Sequence, residues 1–259
     1  MSIITSRDNP RVQRWRELVR DARERRKEKR VLIEGEHLIA AFLDSGKTID
    51  ELILSKTGAA RFDALVKRSG KTPVILGDAA FKAIADTETP AGIAAEIALP
   101  VSGPDLTASK GCVFLEGIQD AGNVGAILRS AAAFGIKDAV LGKGCADVWS
   151  PKVLRAGMGA HFSMRIGEGV DLAAEIARFG GTMVCTVPRG GKMLKDAELS
   201  GRIGWIVGAE GQGVSDALVA RAQLKVTIPM PGGAESLNVA AAAAICFYEA
   251  ARRGDRNAA

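Results

Sequence analysis

Short, continuously apolar segments alternate with helical patterns along the second half of the chain, and this alternation limits the possible folds more than any other feature. Residues 112–115 are Cys-Val-Phe-Leu and residues 203–207 are Ile-Gly-Trp-Ile-Val. Strands that are apolar along their whole length are buried on both faces, as in a parallel sheet between two layers of helices. The second half is therefore predicted to be an α/β domain, with strands at 112–115, 139–141, 182–187, 203–207 and 224–228 and helices at 123–134, 151–158, 170–179, 214–221 and 236–253.

The first part of the chain shows the same alternation on a smaller scale, which predicts a small α/β domain. It begins with residues 9–29, where Val12, Trp15 and Leu18 recur at helical spacing among Arg and Glu residues. Strands are predicted at 31–35, 52–54 and 74–76, helices at 36–43, 59–67 and 78–84, and a last apolar run at 92–99.

Residues 99–110, LPVSGPDLTASK, are the predicted boundary between the two parts. Two prolines, one glycine and three Ser or Thr residues disfavour a helix or strand there. We therefore expect one domain at 1–105 and a second at 106–259.

Apolar residues make up 47% of the chain and charged residues 25%, a composition typical of globular proteins. The longest strongly apolar stretch, 239–248, is too short to span a membrane.

Cysteine and histidine are sparse. The four cysteines stand at 112, 145, 185 and 246 and form no CxxC pair, which excludes that class of metal or redox motif and fits a reducing cytoplasm. With only His37 and His161 in the chain, a histidine-rich metal site is not expected.

Positive charge is concentrated at the N-terminus. Residues 1–30 contain eleven Lys and Arg against five Asp and Glu, whereas the whole chain has a net charge of +5. A local basic segment is typical of a surface that binds a phosphate-rich partner. A solvated helix face is the alternative interpretation, and charge alone does not separate the two.

The common nucleotide-binding motifs are incomplete. Gly46-Lys47-Thr48 and Gly70-Lys71-Thr72 lack the glycine that a P-loop requires five residues before its Gly-Lys pair. No GxGxxG sequence follows a predicted strand. A nicotinamide-dependent oxidoreductase is therefore disfavoured, and only evidence of nucleotide binding would revive it.

The first of three polar segments follows the strand at 112–115. Ligands of α/β sheets bind where strands end, so residues in this position are candidates for a site. Asn123 is predicted to cap the next helix. Arg129 lies about one and two-thirds turns farther along it, and its planar guanidinium suits a phosphate group. A capped helix with a surface arginine is the structural alternative.

The other two polar segments follow the strands at 203–207 and 224–228. In the first of them, glycines permit close approach of backbone N–H groups to a ligand, and Glu210 is the only charged residue among them. In the other, Ser236 is predicted to cap the last helix, which would place Asn238 in its first turn.

Three sequences, NVGAILR, IVGAEGQGVS and IPMPGGAESLNVAAAAAICFYE, occur in the order and spacing of the signature motifs of a known family. The chain resembles the SpoU (TrmH-like) RNA ribose 2′-O-methyltransferases of the SPOUT superfamily. RRKEKRVLIEGEHLIAAFLDSG and DTETPAGIAAEI resemble that family's substrate-binding domain. The resemblance implies a C-terminal SPOUT-type α/β trefoil-knot domain with a parallel sheet, preceded by a small ribosomal-protein-like α/β domain. It also implies S-adenosylmethionine as cofactor, RNA as partner and a homodimer formed through the C-terminal domain.

The resemblance also assigns residues to roles. The implied catalytic residues are Arg129, Asn123, Glu210, Ser236 and Asn238; the cofactor-binding residues are Gly208, Glu210, Gly211, Ile228, Met230, Ser236 and Leu237; and the RNA-binding residues of the basic segment are Arg20, Arg23, Arg25, Arg26, Lys27 and Lys29.

The implied reaction is transfer of a methyl group to a ribose 2′-hydroxyl. The target is expected to be rRNA, because the appended domain is similar to that of rRNA-modifying members. The proton acceptor is left open between Arg129, Glu210 and water. A tRNA ribose methyltransferase, a base methyltransferase and an RNA-binding module without catalysis are the remaining alternatives.

Overall fold

The computed structural model describes residues 3–100 and 103–256. The chain divides into two compact units, Met1–Val101 with Trp149–Phe162, and Ser102–Val148 with Ser163–Ala259. Residues 101 and 102 of the predicted boundary lie outside the described residues, as does the end of the predicted second domain at 257–259. Trp149–Phe162 groups with the first unit although it follows the boundary, so each unit is built from two stretches of sequence.

The helices and strands are numbered in chain order. They are α1 (Pro10–Arg20), α2 (Ala22–Glu28), β1 (Arg30–Glu34), α3 (Glu36–Asp44), β2 (Glu51–Ser55), α4 (Asp63–Ser69), β3 (Val74–Leu76), α5 (Asp78–Ile84), β4 (Ile93–Ala98), β5 (Gly111–Leu115), α6 (Ala121–Ala133), β6 (Asp138–Gly142), α7 (Pro151–Gly157), β7 (Arg165–Val170), α8 (Leu172–Phe179), β8 (Thr182–Thr186), β9 (Lys192–Met193), β10 (Ile203–Val207), α9 (Asp216–Val219), β11 (Leu224–Thr227) and α10 (Val239–Arg256).

The first unit contains, within the described residues, a four-stranded mixed sheet in the order β1-β4-β2-β3. Strand β4 is antiparallel to β1 and β2, and β3 is parallel to β2. Val12, Trp15 and Leu18 of α1 form one stripe of the helix and pack into the core beside Ile53 and Phe81. The small α/β domain that the sequence predicts is thus confirmed.

The predicted single helix at 9–29 is two helices, because Asp21 ends one and begins the other. Its backbone N–H donates to the Glu17 carbonyl at the end of α1, and its side chain accepts from the Arg23 N–H at 2.7 Å at the start of α2. An aspartate satisfies the unpaired N–H groups of a first turn well. The predicted helix at 59–67 also begins too early, since α4 starts at Asp63 after a turn at 56–61.

A buried carboxylate links α1 to the sheet of the first unit. Glu96 of β4 is 4% exposed and accepts hydrogen bonds from Arg14 Nη1 and Nη2, at 2.7 and 2.8 Å, and from Trp15 Nε1 at 2.8 Å. Burial raises the pKa of Glu96, but the hydrogen bonds from Arg14 and Trp15 and the charge of Arg14 outweigh burial and hold that pKa below its ordinary value. The charged form of Glu96 is therefore the one that the fold stabilises.

The second unit contains the predicted parallel sheet. The strands that the structure describes there run in the order β7-β6-β5-β10-β8-β11-β9, and every neighbouring pair is parallel. Strand β10 is inserted between β5 and β8, so segments distant in sequence become neighbours. All strand carboxyl ends lie at one edge of the sheet, and the loops after β5, β8, β10 and β11 meet there.

Helices cover both faces of this sheet. On one face, Trp205 of β10 contacts Phe247 of α10, with ring centroids 6.0 Å apart. On the other, Phe114 of β5 contacts Phe179 of α8 at 5.8 Å. All five residues of β10 are buried, which explains the apolar run in its sequence.

Two strands of the second unit were not predicted. The β7 sequence RIGEGV contains two glycines and is partly exposed, so it lacks an apolar run. Strand β9 has two exposed residues at the sheet edge. Helix α9 is also shorter than the predicted helix at 214–221. Within residues 3–100 and 103–256, no helix combines the length and the hydrophobicity that a membrane span requires.

Candidate functional site

Asn123 does not cap helix α6 as predicted. Asp120 does, because its side chain accepts a hydrogen bond from the Asn123 backbone N–H at 2.8 Å. This is the usual pairing of an N-cap side chain with the third residue of the helix. Because Asp120 satisfies the helix terminus, the side-chain amide of Asn123 is available for contacts with other parts of the chain.

The last helix also begins differently from the prediction. Ser236 does not cap it. Instead the Asn238 Oδ1 atom accepts from the backbone N–H groups of Ala240 and Ala241, at 2.9 and 3.2 Å, and α10 starts at Val239. Asn238 therefore occupies the N-cap position immediately before the helix and not its first turn.

Asn123, Glu210 and Asn238 form one hydrogen-bonded relay. Asn238 Nδ2 donates to Asn123 Oδ1 at 2.9 Å, and Asn123 Nδ2 donates to Glu210 Oε1 at 2.6 Å. The backbone determines the direction of this relay. Asn238 must present its oxygen to the N–H groups of α10, so its amide nitrogen faces Asn123, and the nitrogen of Asn123 then faces Glu210. Glu210 is thereby required to act as a hydrogen-bond acceptor.

Tight backbone packing shapes the loop that carries Glu210. A Cβ atom on Gly208 would lie 2.1 Å from the carbonyl carbon and oxygen of Gly213, so only glycine fits at that position. The Gly213 N–H closes the loop by donating to the Ala209 carbonyl at 2.8 Å. The loop therefore holds Glu210 at a turn that the glycine pattern of the sequence anticipated.

A second interaction holds the same loop and was not predicted from the sequence. The Glu116 carboxylate, directly after β5, accepts hydrogen bonds from the backbone N–H and the hydroxyl of Ser215, at 2.8 and 2.7 Å. This clamp joins the loop after β5 to the loop after β10. In the sequence, only one feature marks Glu116 as a candidate site residue: it is the first polar residue after a buried strand.

A cavity of about 470 Å³ opens beside the relay, within the roughly 300–1,000 Å³ typical of small-ligand sites. Every residue predicted to bind the cofactor lines it, and so does Asn238. The lining comprises Thr186, Val187, Pro188, Gly208, Ala209, Glu210, Gly211, Gly213, Val214, Ile228, Met230, Glu235, Ser236, Leu237, Asn238, Val239 and Ala242.

The chemistry of this lining suits a cation with an apolar body. Glu210 and Glu235 are the charged residues among the described lining residues, and both are acidic. Ile228, Met230 and Leu237 supply apolar surface that fits a flat ring. A sulfonium with an attached nucleoside matches both properties, so the residues present fit S-adenosylmethionine. The lining residues at the end of β8 and directly after it, at 186–188, were not predicted, because they lack the glycines and charged residues of the other segments.

Arg129 is not brought to the cavity. It is exposed on α6, outside the lining residues, and its side chain makes no hydrogen bond or ion pair within the described parts of the chain. In this structure it is separate from the relay formed by Asn123, Glu210 and Asn238.

The basic N-terminal residues divide into two groups. Arg20, Arg23, Arg26, Lys27 and Lys29 lie at least partly at the surface, and Lys27 pairs with Glu24 at 2.9 Å. Arg25 is only 3% exposed, and its Nη1 atom donates to the carbonyls of Leu18 and Val19 near the end of α1. We therefore remove Arg25 from the candidate RNA-binding residues, because a buried guanidinium that binds helix carbonyls cannot reach an RNA backbone.

Comparison with known proteins decides the family. Residues 110–248, more than half of the chain, match the SpoU rRNA methylase family. The chain belongs to this family. Residues 9–95 also match the MRM3-like substrate binding domain.

Similarity to individual members of the SpoU family extends over almost the whole chain. The chain is 35% identical over 254 residues to the 23S rRNA (guanosine(2553)-2′-O)-methyltransferase RlmP of Bacillus subtilis, covering 96% of this chain and 98% of RlmP. A crystal structure of an RNA 2′-O ribose methyltransferase superposes with a TM-score of 0.80 at 28% identity, covering 97% and 99% of the two chains. The SpoU methyltransferase AviRb of Streptomyces viridochromogenes, in complex with AdoMet, has a TM-score of 0.83 at 26% identity over 95% and 98%.

Proposed function

We propose that this SpoU family member is an S-adenosylmethionine-dependent methyltransferase that modifies a ribose 2′-hydroxyl of rRNA. The observation that carries this proposal is the hydrogen-bonded relay of Asn123, Glu210 and Asn238, contributed by three distant segments, at the rim of a cavity that fits the cofactor. RlmP acts on 23S rRNA, and the similarity to it covers both units of this chain. That full-length similarity favours rRNA over tRNA and ribose over base.

The cavity residues are proposed to hold the cofactor. Backbone around Gly208, Ile228, Met230 and Leu237 is proposed to bind it, together with Gly211 and Ser236, which also line the cavity. When bound, S-adenosylmethionine supplies an electrophilic methyl group on a sulfonium cation, and the carboxylate of Glu210 complements that charge. Alignment of two reactants in such a site contributes up to about 7–11 kcal/mol toward the barrier.

Glu210 is proposed to assist loss of the hydroxyl proton, directly or through a water molecule. Its Oε1 atom accepts from Asn123, which leaves the second carboxylate oxygen as an acceptor for the ribose hydroxyl. The relay orients Glu210, because Asn238 is anchored to the start of α10 and fixes Asn123 in turn. General-base assistance of this kind typically contributes about 10²–10⁴-fold to the rate.

Arg129 is proposed to bind a phosphate of the RNA and so steer the hydroxyl. A guanidinium remains protonated in proteins and forms two parallel hydrogen bonds to phosphate oxygens, which suits it to this role better than to that of a base. The residues Arg20, Arg23, Arg26, Lys27 and Lys29 are proposed to bind RNA backbone, with residues 1–105 as the substrate-binding part and 106–259 as the catalytic part.

We also propose a homodimer formed through the second unit. Ile245 and Tyr248 of α10 are 40% and 53% exposed, and Tyr248 contacts Phe134, the C-cap residue of α6, at a ring-centroid distance of 5.8 Å. Large exposed apolar side chains on one helix favour association. Light scattering of the purified protein measures the mass, and a monomer at micromolar concentration contradicts the proposal.

A trefoil knot and a cytoplasmic location complete the proposal. The insertion of β10 between β5 and β8 is compatible with a chain that threads back through itself. The cysteines of the chain are free thiols, and Cys112, Cys185 and Cys246 are buried, which fits a reducing compartment.

The decisive experiment measures methyl transfer directly. Total rRNA and tRNA from cells with and without the protein are digested to nucleosides and analysed by mass spectrometry. We expect one 2′-O-methylated nucleoside to disappear from rRNA. A lost base-methylated nucleoside, or a change confined to tRNA, contradicts the proposal. If calorimetry detects no heat with S-adenosylmethionine, the chain is a non-catalytic RNA-binding module.

A further inference from the structure

A closed loop with a basic tip adjoins the cofactor cavity. The loop, residues 187–191 (Val-Pro-Arg-Gly-Gly), follows β8, and the Thr227 hydroxyl joins its two ends. That hydroxyl accepts from the Gly191 N–H and donates to the Val187 carbonyl, both at 3.1 Å. One side chain of β11 thereby fixes the start and the end of the loop.

Both glycines of this loop are needed for its shape. A Cβ atom on Gly191 would lie 2.8 Å from Thr227 Oγ1, from a Val187 methyl and from the Val226 backbone carbon, so no larger residue fits. Gly190 has a φ of +77°, which other residues rarely adopt. The loop is thus built in one conformation and presents Arg189 at its tip.

The tip of the loop and the segment that follows it carry cations that the fold does not use. Arg189, Lys192 and Lys195 are exposed, and their side chains make no hydrogen bond or ion pair in the parts of the chain that the structure describes. Asp196 is the only acidic residue in the sequence of residues 186–196. Val187 and Pro188 line the cavity, so Arg189 is attached directly to its wall.

The opposite charges of cavity and loop suggest what the loop binds. The charged lining residues Glu210 and Glu235 suit a cationic cofactor but repel an RNA strand brought to the same opening. A ribose presented there carries a phosphate on each side. Cations at the rim offset the repulsion, and the planar guanidinium of an arginine pairs with two phosphate oxygens.

We propose that Arg189 and Lys192 bind a backbone phosphate next to the target ribose, as an RNA-binding site of the catalytic part that is additional to the one proposed at Arg129. This inference rests on the proposed function and adds a substrate-binding site to it. The other anion available at this opening is the carboxylate of the cofactor, and the experiment separates the two.

The test compares Arg189→Ala, Lys192→Ala and the double variant with the wild type. Arg221→Ala is the matched control, since Arg221 is exposed and lies beside Gly180 and Gly181, which precede β8 at the opposite edge of the sheet. The probe is a transcript of the 23S rRNA segment that corresponds to the RlmP target. Its affinity is measured over a range of salt concentrations, and calorimetry measures the affinity for S-adenosylmethionine.

We expect each single variant to weaken RNA binding about three- to tenfold and to leave the affinity for S-adenosylmethionine unchanged. The slope of log affinity against log salt should fall by about 0.7–0.9 for each phosphate group that the variant no longer neutralises. Arg189→Lys keeps the charge and retains most of the salt slope, but it binds RNA more weakly because an ammonium cannot pair with two phosphate oxygens in one plane.

Any of three results overturns the inference. The double variant binds RNA as tightly as the wild type, the variants lose affinity for the cofactor and not for RNA, or Arg221→Ala loses as much RNA affinity as they do. Thermal unfolding of each variant confirms that the fold is intact, as expected for side chains that make no hydrogen bond or ion pair within the described chain. These binding readouts do not depend on turnover. A wild type that binds RNA through this loop but methylates nothing would therefore refute the proposed function and leave the phosphate site standing.

Discussion

Glu96 in the first unit and Glu210 in the second are both carboxylates that join distant segments, but their surroundings are opposite. Glu96 is 4% exposed and receives three hydrogen bonds of 2.7–2.8 Å from Arg14 and Trp15. Glu210 is exposed, and the hydrogen bond that the structure gives it comes from a neutral amide, that of Asn123. The first carboxylate is saturated by donors, whereas the second retains capacity to accept.

This difference distinguishes a carboxylate that stabilises the fold from one that can take part in a reaction. A buried carboxylate with a charged partner contributes to folding, and removing it leaves its donors without partners. A carboxylate at a cavity rim, oriented by an amide relay, can accept a proton from a ligand without disturbing the fold. Each of the following changes tests one side of this comparison.

Replacing Glu210 by Gln is expected to have the largest effect. The amide keeps an oxygen for Asn123 but cannot take a proton, so the rate of methyl transfer should fall about 10²–10⁴-fold. Single-turnover kinetics with saturating cofactor measure this rate. The free energy of unfolding in urea should match that of the wild type. If the variant is destabilised but active, Glu210 has a structural role like that of Glu96.

Glu96→Ala should show the opposite pattern. Loss of the carboxylate leaves the buried Trp15 nitrogen without its acceptor and leaves Arg14 paired with Glu28 alone, which should lower the free energy of unfolding by about 3 kcal/mol. The rate of methyl transfer at low temperature should stay near normal. Glu51→Ala is the control, because its pair with Arg11 is exposed and worth only about 0.2–1 kcal/mol. If Glu96→Ala and Glu51→Ala lower the free energy of unfolding equally, the structural role of Glu96 is contradicted.

Arg129→Lys tests an exposed residue outside the cavity lining. Lysine keeps the charge but lacks the planar fork, so methyl transfer should fall at least about tenfold, with folding unaffected. Near-normal turnover in this variant would exclude both a base and a phosphate-steering role for Arg129.

Asn238 combines a structural and a chemical role, and two substitutions separate them. Asn238→Ala should cost about 1 kcal/mol of stability through loss of the α10 cap, and it should also slow methyl transfer. Asn238→Asp keeps the capping oxygen but cannot donate to Asn123, so stability should be retained while the rate still falls. If the aspartate variant is fully active, the relay does not orient Glu210.

The pH dependence of stability should give the smallest effect. The folded-state pKa of Glu96 lies below its ordinary value of 4.5. Its contribution is therefore present above the unfolded pKa and is lost as the pH falls through the folded pKa. Denaturant midpoints measured from neutral to acidic pH should fall more steeply for the wild type than for Glu96→Gln. Parallel curves would show that Glu96 does not stabilise the fold through its charge.

Local patterns in the sequence determined most of the elements. Apolar runs predicted β5, β6, β8 and β10, because a strand buried on both faces has few polar positions, and β11 was predicted although it contains the exposed Lys225. Glycine and polar residues directly after strands made the segments around Asn123, Glu210 and Asn238 candidates for ligand binding, since ligands of α/β sheets bind where strands end, and the resemblance to the family assigned them to one site. Resemblance to the family supplied the cofactor residues, all of which line the cavity.

Tertiary structure alone decided which polar groups act together. Sequence cannot show that Asp120 caps α6 and so releases Asn123, because two nearby candidates suit the cap equally well. It cannot separate Arg25, buried against α1, from its neighbours at the surface, because the difference depends on how α2 packs. The clamp between Glu116 and Ser215 and the relay to Glu210 join residues far apart in the chain. Such interactions arise only when β10 is placed beside β5, since hydrogen bonds depend on distances of about 3 Å that no local pattern encodes.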